Sequence, residues 1–441
     1  MRAWAPADLL IASITRPSNR VIWHHYSRIS WTGRLDRSQP ESTMTATVEP
    51  PSSGANFSSV PILDYSLLSS SKPEFIAQLR HALIHVGFLY LSNPPVDPKL
   101  IADLIDYIPK LFALPQEEKD RIRMVHSPHF LGYSRLGAEL TKGRVDHREQ
   151  FDIATPHETR WREGEDVPEY WRLWGPSQWP EESLIPGFRA THERYLEQVQ
   201  ALSYTFISLL AEAFGLAPDA LDYFYDTDEK MQHRSKIVQY PVVTDADADD
   251  QGVGPHYDAG FLTFLLQASP HKGLQVQNLS GQWIDVPPIP NTFVVNIGKA
   301  LEFVTQGLAR ATSHRVLSPR ATPGEPEPTT PRYSVPFFQN ISLDVRLAER
   351  KLEFPPAILQ LKEGRGEVAP TDSVNFAEFD QVPSGQVNLI GRVKSHPDVA
   401  ERHYPRLFKA YFPEGLPRAA MVESPWAGFQ ARRSGLRSRL P

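Results

Sequence analysis

The sequence predicts a mixed α+β fold in which helices come first and a sandwich or jelly roll of short strands follows. Apolar side chains at three-to-four-residue spacing predict the helices, up to about Phe214. From about Lys236 the pattern changes to short β-rich runs separated by Gly, Pro and Asn, which is typical of two-sheet folds. These runs are KIVQY, FLTFLLQ, LQVQ, WIDV, FVVNI, HRVL and RYSVPFF. Helical character returns after Val345.

Three apolar stripes define the predicted helices of the first half of the chain. They comprise Ile76, Leu79, Leu83 and Val86; Leu100 to Phe112; and Tyr195 to Phe214. Gly87 and Gly215 follow the first and third stripes, at positions where a left-handed helix cap is expected. Strand-like segments begin at Val60 and at Phe88. We expect all three stripes to pack in the core.

Changes in composition divide the chain into five segments. They are a disordered leader at 1–57, a mainly helical region at 58–232, a jelly-roll core at 233–345, a helical region at 346–416 and a disordered tail at 417–441. Up to Met44 the leader has six arginines and no lysine, a pattern shared by mitochondrial transit peptides. The alternative is that translation starts at Met44 and the protein is cytoplasmic.

The composition excludes several classes of function. The chain of 441 residues has no cysteine, so disulfides and thiolate metal sites are excluded, and any metal must be bound by His and carboxylate. A net charge of -6 provides no basic stripe for nucleic acid. No uncharged apolar run approaches the roughly 20 residues that a membrane-spanning helix requires. We expect a soluble, globular protein.

The segment GPHYDAG contains the first candidate metal ligands. His256 and Asp258 are two residues apart, so on an extended strand both side chains point to the same face. His314, in the separate run ATSHRVLS, is the best candidate for a third ligand. Two imidazoles and one carboxylate on one face of an octahedron leave three positions open, as non-haem Fe(II) oxygen chemistry requires.

A second H-x-D pair, His396 and Asp398, provides an internal control. Pro397 and the following VAER indicate the first turn of a helix. We therefore interpret this pair as helix capping.

The strand RYSVPFF predicts a carboxylate-binding site. Arg332 and Ser334 share one strand face, where a guanidinium can hold a carboxylate through two parallel hydrogen bonds and a hydroxyl can add another. A dicarboxylate co-substrate fits this pair. Tyr240, at the end of KIVQY, is either a further ligand of that carboxylate or a packing residue.

Many blocks of the sequence resemble the isopenicillin N synthase-like branch of the Fe(II)/2-oxoglutarate-dependent dioxygenases. They are VPILDYS, VGFLYLSN, FALPQEEK, REQFDI, HYDAGFLTFLLQ, SHRVLSP and RYSVPFFQN, between about residues 58 and 345. The resemblance implies a double-stranded β-helix flanked by helices, with Fe(II), 2-oxoglutarate and O2 as cofactor and co-substrates and ascorbate as an added reductant. It implies iron ligands His256, Asp258 and His314, and 2-oxoglutarate ligands Arg332, Ser334 and Tyr240.

The chain departs from the family pattern at three places. Asn93-Pro94-Pro95 stands where relatives often have Asn-His-Gly, and Val238 replaces an Asn of many plant members. The insert PRATPGEPEPTTP lengthens the link between the last metal ligand and Arg332, which makes Arg320 a minor rival. The context RYSVPFF favours Arg332.

The resemblance implies a monomer that hydroxylates, desaturates or cyclises a small specialised metabolite while 2-oxoglutarate is converted to succinate. Two alternatives stay open: an iron oxidase that does not consume 2-oxoglutarate, as in isopenicillin N synthase, and a jelly-roll protein that senses a ligand without turnover. The substrate is expected to be selected by loops at 125–165 and by the C-terminal helical region. Phe338 is a candidate pocket wall, and Phe337 should point the other way.

Overall fold

The computed structural model describes residues 56–141, 143–227, 230–244, 251–321, 327–363 and 382–417. These residues belong to one compact unit. Apart from Asn56 and Phe57, the predicted leader lies outside the described residues, as does the predicted tail beyond residue 417.

The described strands form two larger sheets and one short hairpin. The strands are β1 Ile62–Asp64, β2 Phe88–Ser92, β3 Gly132–Ser134, β4 Leu140–Thr141, β5 Arg144–Val145, β6 Glu149–Ala154, β7 Arg234–Tyr240, β8 Gln251–His256, β9 Leu262–Gln267, β10 Leu274–Gln277, β11 Trp283–Asp285, β12 Thr292–Ile297, β13 His314–Leu317 and β14 Arg332–Gln339. The eight-stranded sheet has the order β1-β2-β12-β9-β14-β7-β6-β3, and the four-stranded sheet has the order β11-β10-β13-β8. Strands β4 and β5 pair separately.

The two larger sheets form the jelly roll that the sequence predicts. Apolar side chains from both sheets belong to one buried cluster, as expected for facing sheets. They include Phe88, Val238 and Val294 of the large sheet and Val253, Val276 and Val316 of the small one. Every β-rich run named above corresponds to one of the strands β7 to β14.

Helices pack on the large sheet, and further helices come after its last strand along the chain. They are α1 Leu67–Ser70, α2 Lys72–His81, α3 Pro98–Phe112, α4 Gln116–Arg121, α5 Phe188–Ala213, α6 Lys299–Val304, α7 Pro356–Glu363, α8 Ser384–Ser395, α9 Pro397–His403 and α10 Pro405–Tyr411. The longest, α5, packs on the sheet, where Phe206 meets Phe264 of β9 edge-on with ring centroids 5.6 Å apart. The three predicted apolar stripes lie on α2 with the turn that follows it, on α3 and on α5, and most of their side chains are buried.

The C-terminal helices α8, α9 and α10 rest on a second apolar cluster. Leu389 and Val393 of α8 are buried there with Phe130 and Trp174. One side of α8 is therefore fixed against the body of the protein. Its other side is available to line a cavity.

The region at 58–232 contains more β-structure than its sequence pattern indicates. It holds α1 to α5, but also β3 and β6, which extend the large sheet beyond β7. The register pairs Phe151 of β6 with Ile237 of β7, so the sheet joins residues that are far apart in the chain. The predicted border at 232 therefore falls inside one continuous packing unit.

The first predicted helix ends differently from a regular α-helix. After α2 the chain forms a π-helical turn, Ala82–Val86, and Gly87 then adopts the predicted left-handed conformation at φ 76°. The carbonyl of Leu83 accepts a hydrogen bond from the backbone N–H of Arg310, and that of Val86 accepts one from the Thr312 hydroxyl. This helix end is thus bonded to the segment that leads into β13.

None of the helices in the described ranges is long and apolar enough to cross a membrane.

Gly87→Ala should destabilise the protein by about 2–5 kcal/mol, because a Cβ at this position would overlap the Arg310 carbonyl and the Thr312 hydroxyl in a left-handed backbone. Gly164→Ala is the matched control, since Gly164 has φ 86° and nothing within 4 Å of an added Cβ. We expect the control to cost only about 1–2 kcal/mol. Urea unfolding of both variants measures the difference, and equal losses would contradict the steric argument.

Candidate metal centre and substrate cavity

Neighbouring strands bring the two candidate histidines together. Strands β8 and β13 are antiparallel, and their register pairs His256 directly with His314. The two imidazole centroids are 4.2 Å apart. Asp258 follows β8, and its Oδ1 lies 3.8 Å from Nε2 of each histidine. The ligand atoms of these three residues, the metal triad, all lie within 4.8 Å of one another, which is close enough for one ion.

Hydrogen bonds to the backbone orient both imidazoles. Nδ1 of His256 lies 2.8 Å from the Gly254 carbonyl, and Nδ1 of His314 lies 3.2 Å from the Thr312 carbonyl. A carbonyl can only accept, so each Nδ1 carries the proton and donates it. Each Nε2 then presents its lone pair to the centre of the triad, as metal-binding histidines require.

Two side chains orient the carboxylate of Asp258. Its Oδ2 accepts hydrogen bonds from the Thr263 hydroxyl and from the Asn296 amide, the latter at 2.8 Å. Oδ1 is the atom that faces the two imidazoles. The carboxylate therefore offers one oxygen to an ion while its other oxygen is held by the protein.

The protonation states suit a metal ion. Burial, followed by the neighbouring His314, lowers the pKa of His256 to about 3, so this imidazole is neutral at physiological pH. Burial raises the pKa of Asp258, but the two imidazoles and the bonds from Asn296 and Thr263 outweigh it, and the pKa lies below its ordinary value. Neutral imidazoles and an ionised carboxylate are the forms that bind divalent metals.

The residues predicted to bind 2-oxoglutarate lie on adjacent strands. Strand β14 pairs with β7 so that Arg332 lies opposite Tyr240 and Ser334 lies opposite Val238. The Arg332 guanidinium is 5.1 Å from the centroid of the Tyr240 ring. We call Arg332, Ser334 and Tyr240 the carboxylate pocket.

Arg332 is buried with part of its hydrogen-bonding capacity unused. It is 1 % exposed, and its Nη2 donates to Gln267 at 3.1 Å, while Nε and Nη1 have no hydrogen-bond partner among the described residues. Burial also lowers the pKa of this guanidinium. Buried donors without partners are costly, and a bound carboxylate would remove that cost. The donor set therefore fits a dicarboxylate.

One small cavity connects the metal triad with the carboxylate pocket. It has a volume of about 60 Å³, and all six residues of the two groups line it. Arg320, the rival of Arg332, lines a different cavity, near the insert. The geometry therefore favours Arg332, as the sequence context does.

The second H-x-D pair is not part of this centre. Helix α9 begins at Pro397, as predicted, and the Asp398 carboxylate accepts a hydrogen bond from the Val399 N–H. His396 makes no side-chain capping bond. Its imidazole is buried, and Nε2 lies 3.5 Å from Glu139. His396 therefore occupies the N-cap position of α9, as the capping interpretation requires, but its side chain lies beside a buried carboxylate that the sequence could not show.

A larger cavity adjoins the metal triad. It has a volume of about 290 Å³ and shares His256, Asp258 and Phe338 with the smaller one. Its other walls include residues 139–141 and helix α8, which lie in the two regions expected to select the substrate. Phe338 is a cavity wall, whereas Phe337 is buried in the core on the opposite face of β14, as the strand period predicts.

The larger cavity contains charged side chains that were not among the candidate site residues predicted from the sequence. They are Glu139, Arg148, Arg234, Lys236 and Arg392. The strand period contained a signal for two of them. Arg234 and Lys236 alternate along β7 on the same face as Val238 and Tyr240, and all four line the active-site cavities.

Two family models match the chain. One, described as "non-haem dioxygenase in morphine synthesis N-terminal", matches residues 60–182, and the other, described as "2OG-Fe(II) oxygenase superfamily", matches residues 228–341. The chain is 43% identical over 366 residues to the 2-oxoglutarate-dependent dioxygenase frbJ of a Dothideomycetidae species, covering 80% of this chain and 94% of the relative. The chain belongs to the 2OG-Fe(II) oxygenase superfamily.

Further comparisons agree that this dioxygenase belongs to the superfamily. It is 38% identical to a 2-oxoglutarate-dependent dioxygenase of Gibberella zeae, over 80% of this chain and 93% of the relative. It is 34% identical to a homoarginine-6-hydroxylase of Glycine max, over 60% of this chain and 82% of the relative. A full-length Neurospora crassa protein solved with alpha-KG and thymine matches with 25% identity and a TM-score of 0.57, over 78% of this chain and 97% of that one.

The comparisons also decide between the functions left open by the sequence. The similar proteins are named 2-oxoglutarate-dependent dioxygenases, which supports an enzyme that uses Fe(II), 2-oxoglutarate and O2 on a small molecule. The iron oxidase without 2-oxoglutarate and the non-catalytic sensor are not supported.

Asn296→Ala should weaken divalent metal binding about 10–100-fold, because it removes one of the two hydrogen bonds that orient the Asp258 carboxylate. Thr292→Ala is the control. Thr292 lies on the same strand, β12, and the substitution removes the hydrogen bond that its hydroxyl donates to the Ile289 carbonyl. Anaerobic titration with Fe(II) or Mn(II) measures both affinities. A similar loss in the two variants would mean that β12 as a whole, rather than the Asn296 amide, supports the metal triad.

Proposed function

We propose that the metal triad of this dioxygenase holds Fe(II) and that the carboxylate pocket binds the far carboxylate of 2-oxoglutarate, next to a small-molecule substrate in the larger cavity. The observation that carries the proposal is the buried Arg332 guanidinium, with two unpartnered nitrogen atoms, in the same small cavity as the triad. A carboxylate bound in that position would pair with the charge and with its unpartnered nitrogen atoms, which lowers the cost of burying them.

Bound Fe(II), with O2 and 2-oxoglutarate, supplies an oxidation in which 2-oxoglutarate becomes succinate and CO2 and the substrate is hydroxylated, desaturated or cyclised. The protein's own residues provide position. Gly254 and Thr312 fix the imidazole tautomers, and Asn296 fixes the carboxylate. The Arg332 fork would set the orientation of the co-substrate through parallel, charge-assisted hydrogen bonds.

Apolar side chains shield the reacting groups. Val253, Leu262 and Phe338 line the larger cavity beside the triad. Excluding water from such a site strengthens its electrostatic interactions and prevents side reactions. The cavity of about 290 Å³ suits a molecule of amino-acid to small-metabolite size. The homoarginine-6-hydroxylases among the relatives act, by their name, on a molecule of this class, and we assign the substrate to specialised metabolism.

Arg332→Gln should raise the KM for 2-oxoglutarate about 100-fold, because it removes the charge-assisted hydrogen bonds to the far carboxylate. Arg320→Gln, which removes the same charge outside the cavity of the metal triad, should leave that KM within about twofold. Succinate formation at increasing 2-oxoglutarate concentration measures both. If Arg320→Gln has the larger effect, the assignment of the co-substrate site is wrong.

The reaction itself is tested with the purified full-length chain, Fe(II), 2-oxoglutarate and a metabolite extract. We expect a product with a mass change of +16 or −2 and about one succinate for each substrate consumed. Asp258→Ala, which removes the only anionic ligand of the triad, should abolish product formation and divalent metal binding together. Product formed without succinate would contradict the use of 2-oxoglutarate.

A further inference from the structure

Among the residues that the structure describes, the charges around the larger cavity do not balance. Four cationic side chains line it, and three carboxylates other than the metal ligand Asp258 contact them. The cations are Arg148, Arg234, Lys236 and Arg392, and the carboxylates are Glu139, Asp146 and Asp152. One positive charge therefore has no counterpart in this cluster.

The carboxylates are used mainly by two of the cations. Glu139 lies 2.8 Å from both Arg148 and Lys236. Asp146 lies 3.0 Å from Arg148, and Asp152 lies 3.2 Å from Lys236. These five side chains are almost completely buried, with Glu139 the most exposed, at 12 % of its side chain. They form a network of ion pairs that Arg392 joins through Asp152, whereas Arg234 makes no ion pair with these carboxylates.

Arg234 is a buried cation without a carboxylate. Its guanidinium donates to the backbone carbonyls of Phe130, His129 and Leu173 at 3.0, 2.7 and 2.7 Å, and no described carboxylate lies within salt-bridge distance. Only three of its five N–H donors are used by these bonds. Burial, followed by the nearby charge of Arg392, lowers the pKa of Arg234 to about 9.

Arg392 is the more accessible of the two cations. It lies on the side of α8 that faces the cavity, and its closest carboxylate oxygen, of Asp152, is 3.4 Å away and already bonded to Lys236. Its side chain is 21 % exposed. Asn388, one turn earlier on α8, and Asn340 line the cavity too. Arg392 lies close enough to Arg234 to lower its pKa, and an anion near both side chains would offset the repulsion between these like charges.

We propose that Arg392, together with Arg234, binds a carboxylate of the substrate, so that this dioxygenase oxidises a small carboxylic acid or amino acid. The inference rests on the proposed function, because it names the substrate class of the same site. The far carboxylate of 2-oxoglutarate is not the anion in question, since Arg332 takes it in the adjoining cavity. The apolar side chains of Leu262, Phe338 and Val387 line the larger cavity and suit the carbon skeleton of such an acid.

A binding experiment tests the proposal with probes of defined charge. The full-length chain is loaded anaerobically with Mn(II) and saturating 2-oxoglutarate, and hexanoate or hexanamide is then added. Hexanoate has one carboxylate and an apolar tail, and hexanamide has the same shape without the charge. We expect hexanoate to raise the Tm in a concentration-dependent way and hexanamide to raise it far less, because a ligand stabilises the state that it binds.

Variants of α8 assign the effect to one residue. Arg392→Gln should weaken hexanoate binding at least about tenfold, since it removes a charge-assisted contact, and Arg392→Lys should restore part of it. Lys394→Gln is the matched control, because it removes the same charge from the same helix, where Lys394 lies 4.9 Å from the Tyr411 ring and outside the cavity. Binding by Lys394→Gln should equal that of the unmodified chain.

A turnover experiment extends the test to the natural substrate. A metabolite extract is divided, and the carboxyl groups of one half are converted to methylamides before incubation with Fe(II), 2-oxoglutarate and enzyme. Oxidised product should arise from the untreated half alone. In Arg392→Gln the KM for that substrate should rise at least about tenfold while kcat changes little, as for a residue that only binds.

Three results would overturn the proposal: no response to hexanoate, an equal response to hexanamide, or unchanged hexanoate binding by Arg392→Gln. Oxidation of the amidated half as readily as the untreated half would overturn it as well. Failure of the proposed function is recognised separately, because Mn(II) and 2-oxoglutarate would then not raise the Tm before any probe is added.

Discussion

The pairing of β8 with β13 is the constraint on which the centre depends. These antiparallel strands place His256 opposite His314, and Asp258 then completes the triad just beyond the end of β8. A shift of one residue in this register would turn one histidine to the opposite face of the sheet. The bonds of the imidazoles to Gly254 and Thr312 hold the rings in the orientation that the register allows.

The segment that leads into β13 also connects the metal triad to the helices that pack on the large sheet. The chain entering β13 bonds through Arg310 and Thr312 to the π-helical turn Ala82–Val86, and Phe88 of the following β2 meets His314 edge-on, with ring centroids 5.3 Å apart. Gly87 makes this close approach possible, since any side chain there would overlap Arg310 and Thr312 in the segment that leads into β13. Helix packing and the position of a candidate metal ligand are therefore parts of one arrangement.

Buried charge is the second feature that organises the active-site cavities. Arg332 in the smaller cavity and Arg234 in the larger one have no carboxylate within salt-bridge distance among the described residues, and Arg392 shares the carboxylate of Asp152 with Lys236. Burying such cations is unfavourable in the free protein, and complementary anions would recover that free energy on binding. The two cavities are thus matched to two different acids: the dicarboxylate co-substrate and, by our inference, the substrate.

The sequence by itself determined the fold class, the order of the strands along the chain and the six candidate site residues. H-x-D and R-x-S each place two side chains on one strand face, and Gly87 follows an apolar helical stripe, whereas the roles of His314 and Tyr240 came from the resemblance to the family. Tertiary structure alone decided that β3 and β6 extend the large sheet and that His396 lies against Glu139. It also decided that Arg234 and Arg392 line the same cavity. The charged contacts join segments more than a hundred residues apart, and local periodicity contains no information about which distant charges are buried together.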